Sequence, residues 1–331
     1  MEKAARVRLQ MASGPLPEPG RLSVAKFAQQ WLSDVVSVST RPSTLAFYES
    51  RVRNHIVPVI GGVQIAKLSP IHVQAVLAEM ERRGASRSHQ RGVLRTLHRM
   101  LEQAVTWGFL PRNPCDLVPK PKATQREMCA LTPEQAARFL QAARQDRYYA
   151  LFAVLLGCGL RLGEALALTW PDVDLEGGKI TVRRQVTWVK GRPVWTEPKT
   201  TAGRRVVDMP RFVVEALRGH QERQRAEGWL LNDQLLVFTD EAGGPVRPEN
   251  LRRRNFARVL RAAGLPRMRL HDLRHSYATL SLKAGVHPRV VQQQLGHSTV
   301  TTTMETYSHV LPGLGREAAE RLDRVVRESG A

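Results

Sequence analysis

The chain of 331 residues is poor in cysteine, in aromatic side chains and in acidic charge. Its three cysteines, Cys115, Cys129 and Cys158, are odd in number, widely spaced and without a CxxC pair. That argues against a disulfide framework or a zinc site and suits a reducing cytoplasm. No run of about 18 apolar residues occurs, so no membrane span is expected. The opening MEKAARVRLQMASGPLPEPG lacks the apolar core of a signal peptide. No cluster of Asp and Glu of the kind that holds magnesium is apparent, which leaves two-metal hydrolysis without support. What is present in excess is positive charge. Fifty Lys and Arg stand against 30 Asp and Glu, a formal net charge of +20, and this favours a polyanionic partner. With 42% hydrophobic residues, most of the chain should be globular, and its length allows two cored domains.

The hydrophobic pattern divides the chain. Residues 1–22 read as a short helix, Glu2 to Met11, followed by a Gly/Pro linker. From 23 to 118 the apolar spacing is helical: Val24, Phe27, Trp31 and Leu32 share one face, as do Val93, Leu94, Leu97, Leu101 and Val105. Ser69 and Pro70 mark a helix start and Gly84 its stop. Residues 119–131, PKPKATQREMCAL, read as a basic linker containing Lys120 and Lys122. Helix resumes at Thr132, where Gln135 completes a capping box, and a second domain is expected over 132–331. Inside it KITVRRQVTW alternates with period two, placing Ile180, Val182, Arg184, Val186 and Trp188 on one strand face. A turn at Lys190 to Pro193 and further short strands around Lys199 to Gly203 follow. The expected fold class is mainly α with a small antiparallel β-sheet in the C-terminal domain.

Several polar residues sit where an ordinary core would not place them. Arg161 opens the helix RLGEALAL between apolar stretches, where burial is costly without an anionic partner. An internal salt bridge to Glu164, three residues on, or an external anion would each satisfy it. His271 and Arg274 share a helix face in RLHDLRHSYATLSLKAG, a face that is either solvated or functional. His297 follows the helix stop at Gly296, and Tyr307 lies among threonines with little apolar company. Lys199 stands in a turn, as many soluble lysines do. Taken together, two arginines, a lysine, two histidines and a tyrosine suit transesterification at a phosphodiester. Guanidiniums stabilise the charge on phosphorus, histidine relieves the phenol of its proton, and an ammonium protonates the leaving oxygen.

GLRLGEALALTW, PKTTAGRRVV, HDLRHSYAT and LGHSTVTTTMETYSH, in that order over about 150 residues, resemble the tyrosine recombinases, the phage integrase family. The resemblance implies a two-domain clamp on duplex DNA, with a core-binding domain over 23–118 and a catalytic domain over 132–331. Carried over to this sequence, Arg161 and Arg274 hold the scissile phosphate and Lys199 is the general acid. His271 acts as base or assists proton transfer, and His297 bonds the phosphate. Tyr307 attacks to give a 3′-phosphotyrosyl enzyme, and Glu164 orients its neighbours. Lys120 and Lys122 are expected to touch DNA from the linker.

No cofactor and no metal is implied. The implied partners are duplex attachment sites, a homotetramer bridging two sites, and a directionality factor as a further candidate. The implied setting is the cytoplasm of a bacterial or phage-infected cell. Integration and excision of a mobile element is the leading role. A chromosome-dimer resolvase and a silent DNA-binding protein on the same fold are the alternatives. Ala318, Leu322, Val325 and Val326 form a C-terminal stripe that docks on a neighbouring protomer or on its own domain. The 22 residues ahead of the first core-binding helix leave open a core-site-only type or a further arm-binding domain upstream.

Overall fold

The computed structural model describes residues 22–122, 129–198, 201–228 and 236–296, with 323, 326 and 327. The expected helix Glu2 to Met11, Lys199, His297 and Tyr307 lie outside these residues, as do Ala318, Leu322 and Val325 of the C-terminal stripe. Val326 is described and is 63% exposed. The chain divides into two compact units, Met1–Arg126 and Glu127–Ala331.

The first unit is helical. α1 (Val24–Gln30) starts at Ser23, whose Oγ accepts from the Lys26 N–H at 3.3 Å. It runs on through a π-helical stretch, Trp31–Val36, into Ser37–Ser39. α2 (Pro42–Arg51) continues through a second π-helical stretch, Val52–Ile56, into Val57–Ile60. The wider turn falls directly ahead of Pro58, which has no N–H to offer the Asn54 carbonyl. α3 (Pro70–Arg82) begins after Ser69, and His72 Nδ1 accepts from the Ser69 N–H at 3.2 Å. A histidine thus takes the Glu/Gln position of a capping box. α4 (Arg87–Thr106) buries Val93, Leu94, Leu97, Met100, Leu101 and Ala104. Its opposite face exposes Arg91, Arg95 and Arg99, spaced four apart. In the core, Phe27 meets Trp107 and Phe109 edge-on, with ring centroids 5.6 and 5.8 Å away.

The second unit starts with α5 (Pro133–Ala143) and the expected capping box. Thr132 Oγ1 accepts from the Gln135 N–H at 3.2 Å, and Gln135 Oε1 accepts from the Thr132 N–H at 2.9 Å. α6 (Tyr149–Cys158) is apolar on every side and buried from Ala150 to Leu156, as such a helix must be. α7 (Leu162–Ala165) follows directly. The rings of Phe139, Phe152 and Phe256 meet edge-on or tilted, with centroids 5.7 to 5.9 Å apart. Burial pushes the Cys115 and Cys158 thiols up to about 12, while Cys129 is exposed, and all three are free.

The strand region departs from its sequence pattern. KITVRRQVTW is not one strand but two, in different sheets. β1 (Val173–Asp174), β2 (Lys179–Val182) and β5 (Arg205–Asp208) form an antiparallel sheet in the order β1-β2-β5. β3 (Gln185–Val189) and β4 (Arg192–Thr196) make a separate hairpin. Its two-residue loop, Lys190 and Gly191, has φ of 49° and 79°, the left-handed pair that a tight hairpin needs. The break falls at Arg183 and Arg184, which reach 3.5 and 3.4 Å toward the buried carboxylate of Asp172. Two adjacent side chains drawn to one carboxylate cannot keep to opposite faces of a strand. α8 (Arg211–Ala226), α9 (Ala257–Ala262), α10 (Asp272–Lys283) and α11 (Pro288–Leu295) complete the unit, with α8 and α10 packed on α6.

Candidate active site

The site is built around the C-terminus of α11. The last carbonyls of any helix have no partner within it. Here three consecutive ones accept from three different arginines. Arg205 Nε donates to Gln294 O at 2.6 Å, Arg274 to Leu295 O at 2.6 Å, and Arg161 to Gly296 O at 3.3 Å. A cation at a helix C-terminus also meets the negative end of the dipole. Arg274, 3% exposed, has its second anchor at Gly159 O, 2.6 Å away, at the C-terminal end of α6.

Both helix ends depend on glycine. Gly159 and Gly296 cap α6 and α11 at φ of 62° and 65°. A Cβ on Gly159 would stand 2.3 Å from the Tyr277 ring, and one on Gly296 would stand 2.9 Å from Ala202 O. Left-handed backbone and close approach exclude a side chain at both positions.

Glu164 ties two of the arginines together. It is 2% exposed. Its Oε1 accepts from Arg161 at 2.8 Å and Arg205 at 3.3 Å, and its Oε2 accepts from the Arg161 N–H and from Arg205, both at 2.9 Å. Burial alone would raise the carboxyl pKa. The hydrogen bonds and charge of Arg205, with the charge of Arg161, outweigh burial and hold it below the usual carboxylate range. Glu164 therefore stays ionised and fixes the inner edge of Arg161. The Arg161 side chain keeps 39% of its surface open, so donors remain for an oxyanion outside.

His271 is the N-cap residue of α10. Its ring packs edge-on against His275 at 5.0 Å. Partial burial, then the like charges of His275 and Arg274, lower its pKa to about 4. The residue is exposed to solvent, which tempers the shift without reversing it. A neutral imidazole at neutral pH is able to accept a proton. His275 lies one helical turn beyond His271, so α10 itself brings the two rings together.

Of the residues singled out in the sequence, the described part thus brings Arg161, Glu164 and Arg274 to one floor, with His271 on the helix that carries Arg274. Lys120 lies in the other unit, exposed beside Arg91, Arg95 and His98 in a cleft of about 220 Å³, and Lys122 is exposed. Sequence reasoning missed Arg205, which reads as one of two turn cations in GRRVV. It also missed the backbone carbonyls that satisfy Arg274. Among the described residues no three His, Cys, Asp or Glu side chains gather as a metal-ligand set.

An array of this kind, two guanidiniums held on adjacent carbonyls with the Arg161 side chain partly open to solvent, is suited to holding an anionic tetrahedral group. The model of the phage integrase family matches residues 130–313, and that of the phage integrase N-terminal SAM-like domain matches residues 23–80. A relative named tyrosine recombinase XerC-like, from Caldanaerobacter subterraneus subsp. tengcongensis, is 31% identical over 316 residues, covering 88% of this chain and 81% of the relative. The integrase of Mycobacterium phage L5 is 28% identical, covering 93% and 81%. This chain belongs to the phage integrase family, the tyrosine recombinases, and is a site-specific DNA strand transferase.

Solved structures agree at the level of fold. The Tn1549 transposon integrase in complex with a circular intermediate DNA matches with a TM-score of 0.78 at 23% identity, over 91% of this chain and 99% of that one. A lambda integrase dimer bound to a COC′ core site matches at 0.65 and 18%, over 85% and 97%. Among the described residues no helix is long and apolar enough to cross a membrane.

Proposed function

We propose that the chain cleaves and rejoins duplex DNA at attachment sites of a mobile element, and that Tyr307 is its nucleophile. The phenol oxygen attacks the scissile phosphorus, a P–O bond to tyrosine forms, and the P–O5′ bond breaks. Arg161 and Arg274 bind the non-bridging oxygens and stabilise the extra charge of the transition state. His271, neutral at neutral pH, takes or relays the phenol proton, and Lys199 gives one to the departing 5′-oxygen. His297 bonds the phosphate, one residue beyond the carbonyl that holds Arg161. The bond energy stays in the 3′-phosphotyrosyl link, so the 5′-hydroxyl of a partner strand reverses the step without ATP.

The observation that carries this reading is the seating of Arg161 and Arg274 on the adjacent carbonyls of Gly296 and Leu295. It joins residues from three distant motifs directly ahead of His297. Relatives named as integrases of phages and as the ICEBs1 integrase of Bacillus subtilis favour the mobile-element role. Exchange between two sites calls for four protomers, and control of excision for a directionality factor. The reaction takes place where DNA is, in the cytoplasm.

The test uses duplexes nicked beside the candidate crossover, incubated in EDTA with wild type and with Tyr307→Phe, then run on denaturing gels. A protein–DNA adduct with wild type alone supports the assignment. An adduct that persists in Tyr307→Phe, or none with wild type despite tight binding, sinks it.

A further inference from the structure

Two arginines meet at the start of β5, and they part ways. Strand alternation sends Arg204 outward with Val206 and Arg205 inward with Val207. Arg204 pairs with the exposed Glu197. Arg205 keeps only 7% of its side chain exposed, and a cation so enclosed needs its donors met. All three of its nitrogens are engaged within the protein. Nε donates to Gln294 O at 2.6 Å, Nη1 to Gly203 O at 3.2 Å and Glu164 Oε1 at 3.3 Å, and Nη2 to Glu164 Oε2 at 2.9 Å. The fork is occupied inside the fold and does not face a substrate.

Both side-chain anchors of Arg161 are held by this one residue. Arg161 donates from Nη1 to Glu164 Oε1 at 2.8 Å and from Nη2 to Gly296 O at 3.3 Å. Arg205 grips the first anchor through the Glu164 carboxylate. It grips the second at Gln294 O, two residues ahead of Gly296, and a Cβ on Gly296 would stand 2.9 Å from Arg205 Nη1. The other site residues are placed differently. One anchor of Arg274, Gly159 O, belongs to α6. His271 is the N-cap of α10, a different element from either anchor of Arg161.

We propose that Arg205 is a positioning residue for strand transfer, aiming the Arg161 guanidinium by holding Glu164 and the end of α11 in one register without touching DNA itself. The task calls for a planar fork with donors on three nitrogens. A lysine ammonium is a point charge that can meet Glu164 or Gln294 O but cannot span both. Once that register loosens, Arg161 keeps its charge and loses its aim. A displacement of about 1 Å then costs rate more than ground-state affinity, because the contact matters most where charge develops on the phosphate. The proposal rests on the role given to Arg161 in the proposed function above.

The test is a set of double-mutant cycles on the rate of adduct formation by the full chain at saturating nicked duplex. Arg205→Lys alone is expected to slow the reaction about tenfold while leaving affinity for intact duplex within about twofold of wild type. Added to Arg161→Lys, it should slow the reaction by less than about twofold further, because the fork it aims is already gone. Added to His271→Gln, it should again cost about tenfold, because that residue shares neither anchor. An arginine that served only the fold would cost the same factor on every background. An undiminished loss on the Arg161→Lys background therefore overturns the proposal, and so does a loss carried wholly by DNA affinity. Urea unfolding checks that Arg205→Lys is folded. If it is not, Arg205→Met/Glu164→Met, which leaves neither member of the pair as an unmatched charge, replaces it in the same cycles with the same expectations. A wild type that forms no Tyr307-dependent adduct strikes the functional reading and this proposal with it, whereas additivity in an active wild type strikes this proposal alone.

Discussion

Arg205 and Glu164 face each other through two parallel hydrogen bonds, 2.9 Å between Nη2 and Oε2 and 3.3 Å between Nη1 and Oε1, with side chains only 7% and 2% exposed. The pair stands between strand β5 and helix α7. Arg205 grips the end of α11 through Gln294 O, and Glu164 grips Arg161. One buried ion pair thus links three elements of the floor.

Removing one partner of such a pair strands the other. Arg205→Met leaves a buried carboxylate with only Arg161 to meet it, and a loss of about 3–5 kcal/mol is expected in urea unfolding. The double variant Arg205→Met/Glu164→Met should recover a substantial part of that loss. Equal instability of the single and the double variant would contradict a specific pairing.

His220 should make the protein sensitive to mild acid. It is 5% exposed, its Nε2 lies 2.5 Å from Val237 O, and its Nδ1 accepts from Arg223 at 2.8 Å, an arrangement that fits the neutral ring. Burial lowers its pKa from 6.5 to about 4. Between those values the unfolded chain binds a proton that the folded chain refuses, so stability is full above about 6.5 and falls as pH drops toward about 4. Glu164 adds a second loss at lower pH. Its depressed pKa means that its contribution is present above 4.5, its ordinary value, and disappears as pH falls through the folded value. The urea midpoint followed from neutral to acid pH checks both. A flat response in wild type, or the same slope in His220→Gln, would count against the first.

Gly159→Ala should damage the site more than the fold. The left-handed backbone costs about 1–2 kcal/mol for alanine, and the new Cβ meets the Tyr277 ring at 2.3 Å. Relief of that contact moves the Gly159 carbonyl that holds Arg274. Adduct formation is expected to fall by a larger factor than DNA affinity. Loss of both in equal measure would mean that the carbonyl does not position Arg274.

Arg274→Lys keeps the charge and loses the fork. A single ammonium cannot hold Gly159 O and Leu295 O while also facing a phosphate. The rate of adduct formation should drop by about 10²–10³, as for loss of one oxyanion donor, with binding of intact DNA changed only a few-fold. A fall confined to binding would place Arg274 outside the transition-state contacts.

Local features were legible from sequence because their partners are local. The Thr132–Gln135 box, the Pro70 start and the Gly296 stop each depend on residues within one turn, and all are found where the spacing put them. The burial of α6 followed from an apolar stretch with no polar face to turn outward. Where two readings competed locally, the pattern misled. The period-two alternation of KITVRRQVTW concealed a break, because Arg183 and Arg184 answer to Asp172, which belongs to neither strand.

By itself the sequence determined which chemical groups this protein holds, in what order, and so its family. It could not determine what holds those groups. Arg274 is seated by carbonyls 115 and 21 residues away, Arg161 by one 135 away, and Glu164 meets Arg205 across 41. A backbone carbonyl is the same at every position, so no residue type announces which ones will accept. Only the meeting of the ends of α6 and α11 with α7, α10 and β5 selects Gly159, Leu295 and Gly296. The tertiary structure, not the motif, gathers scattered arginines onto one floor.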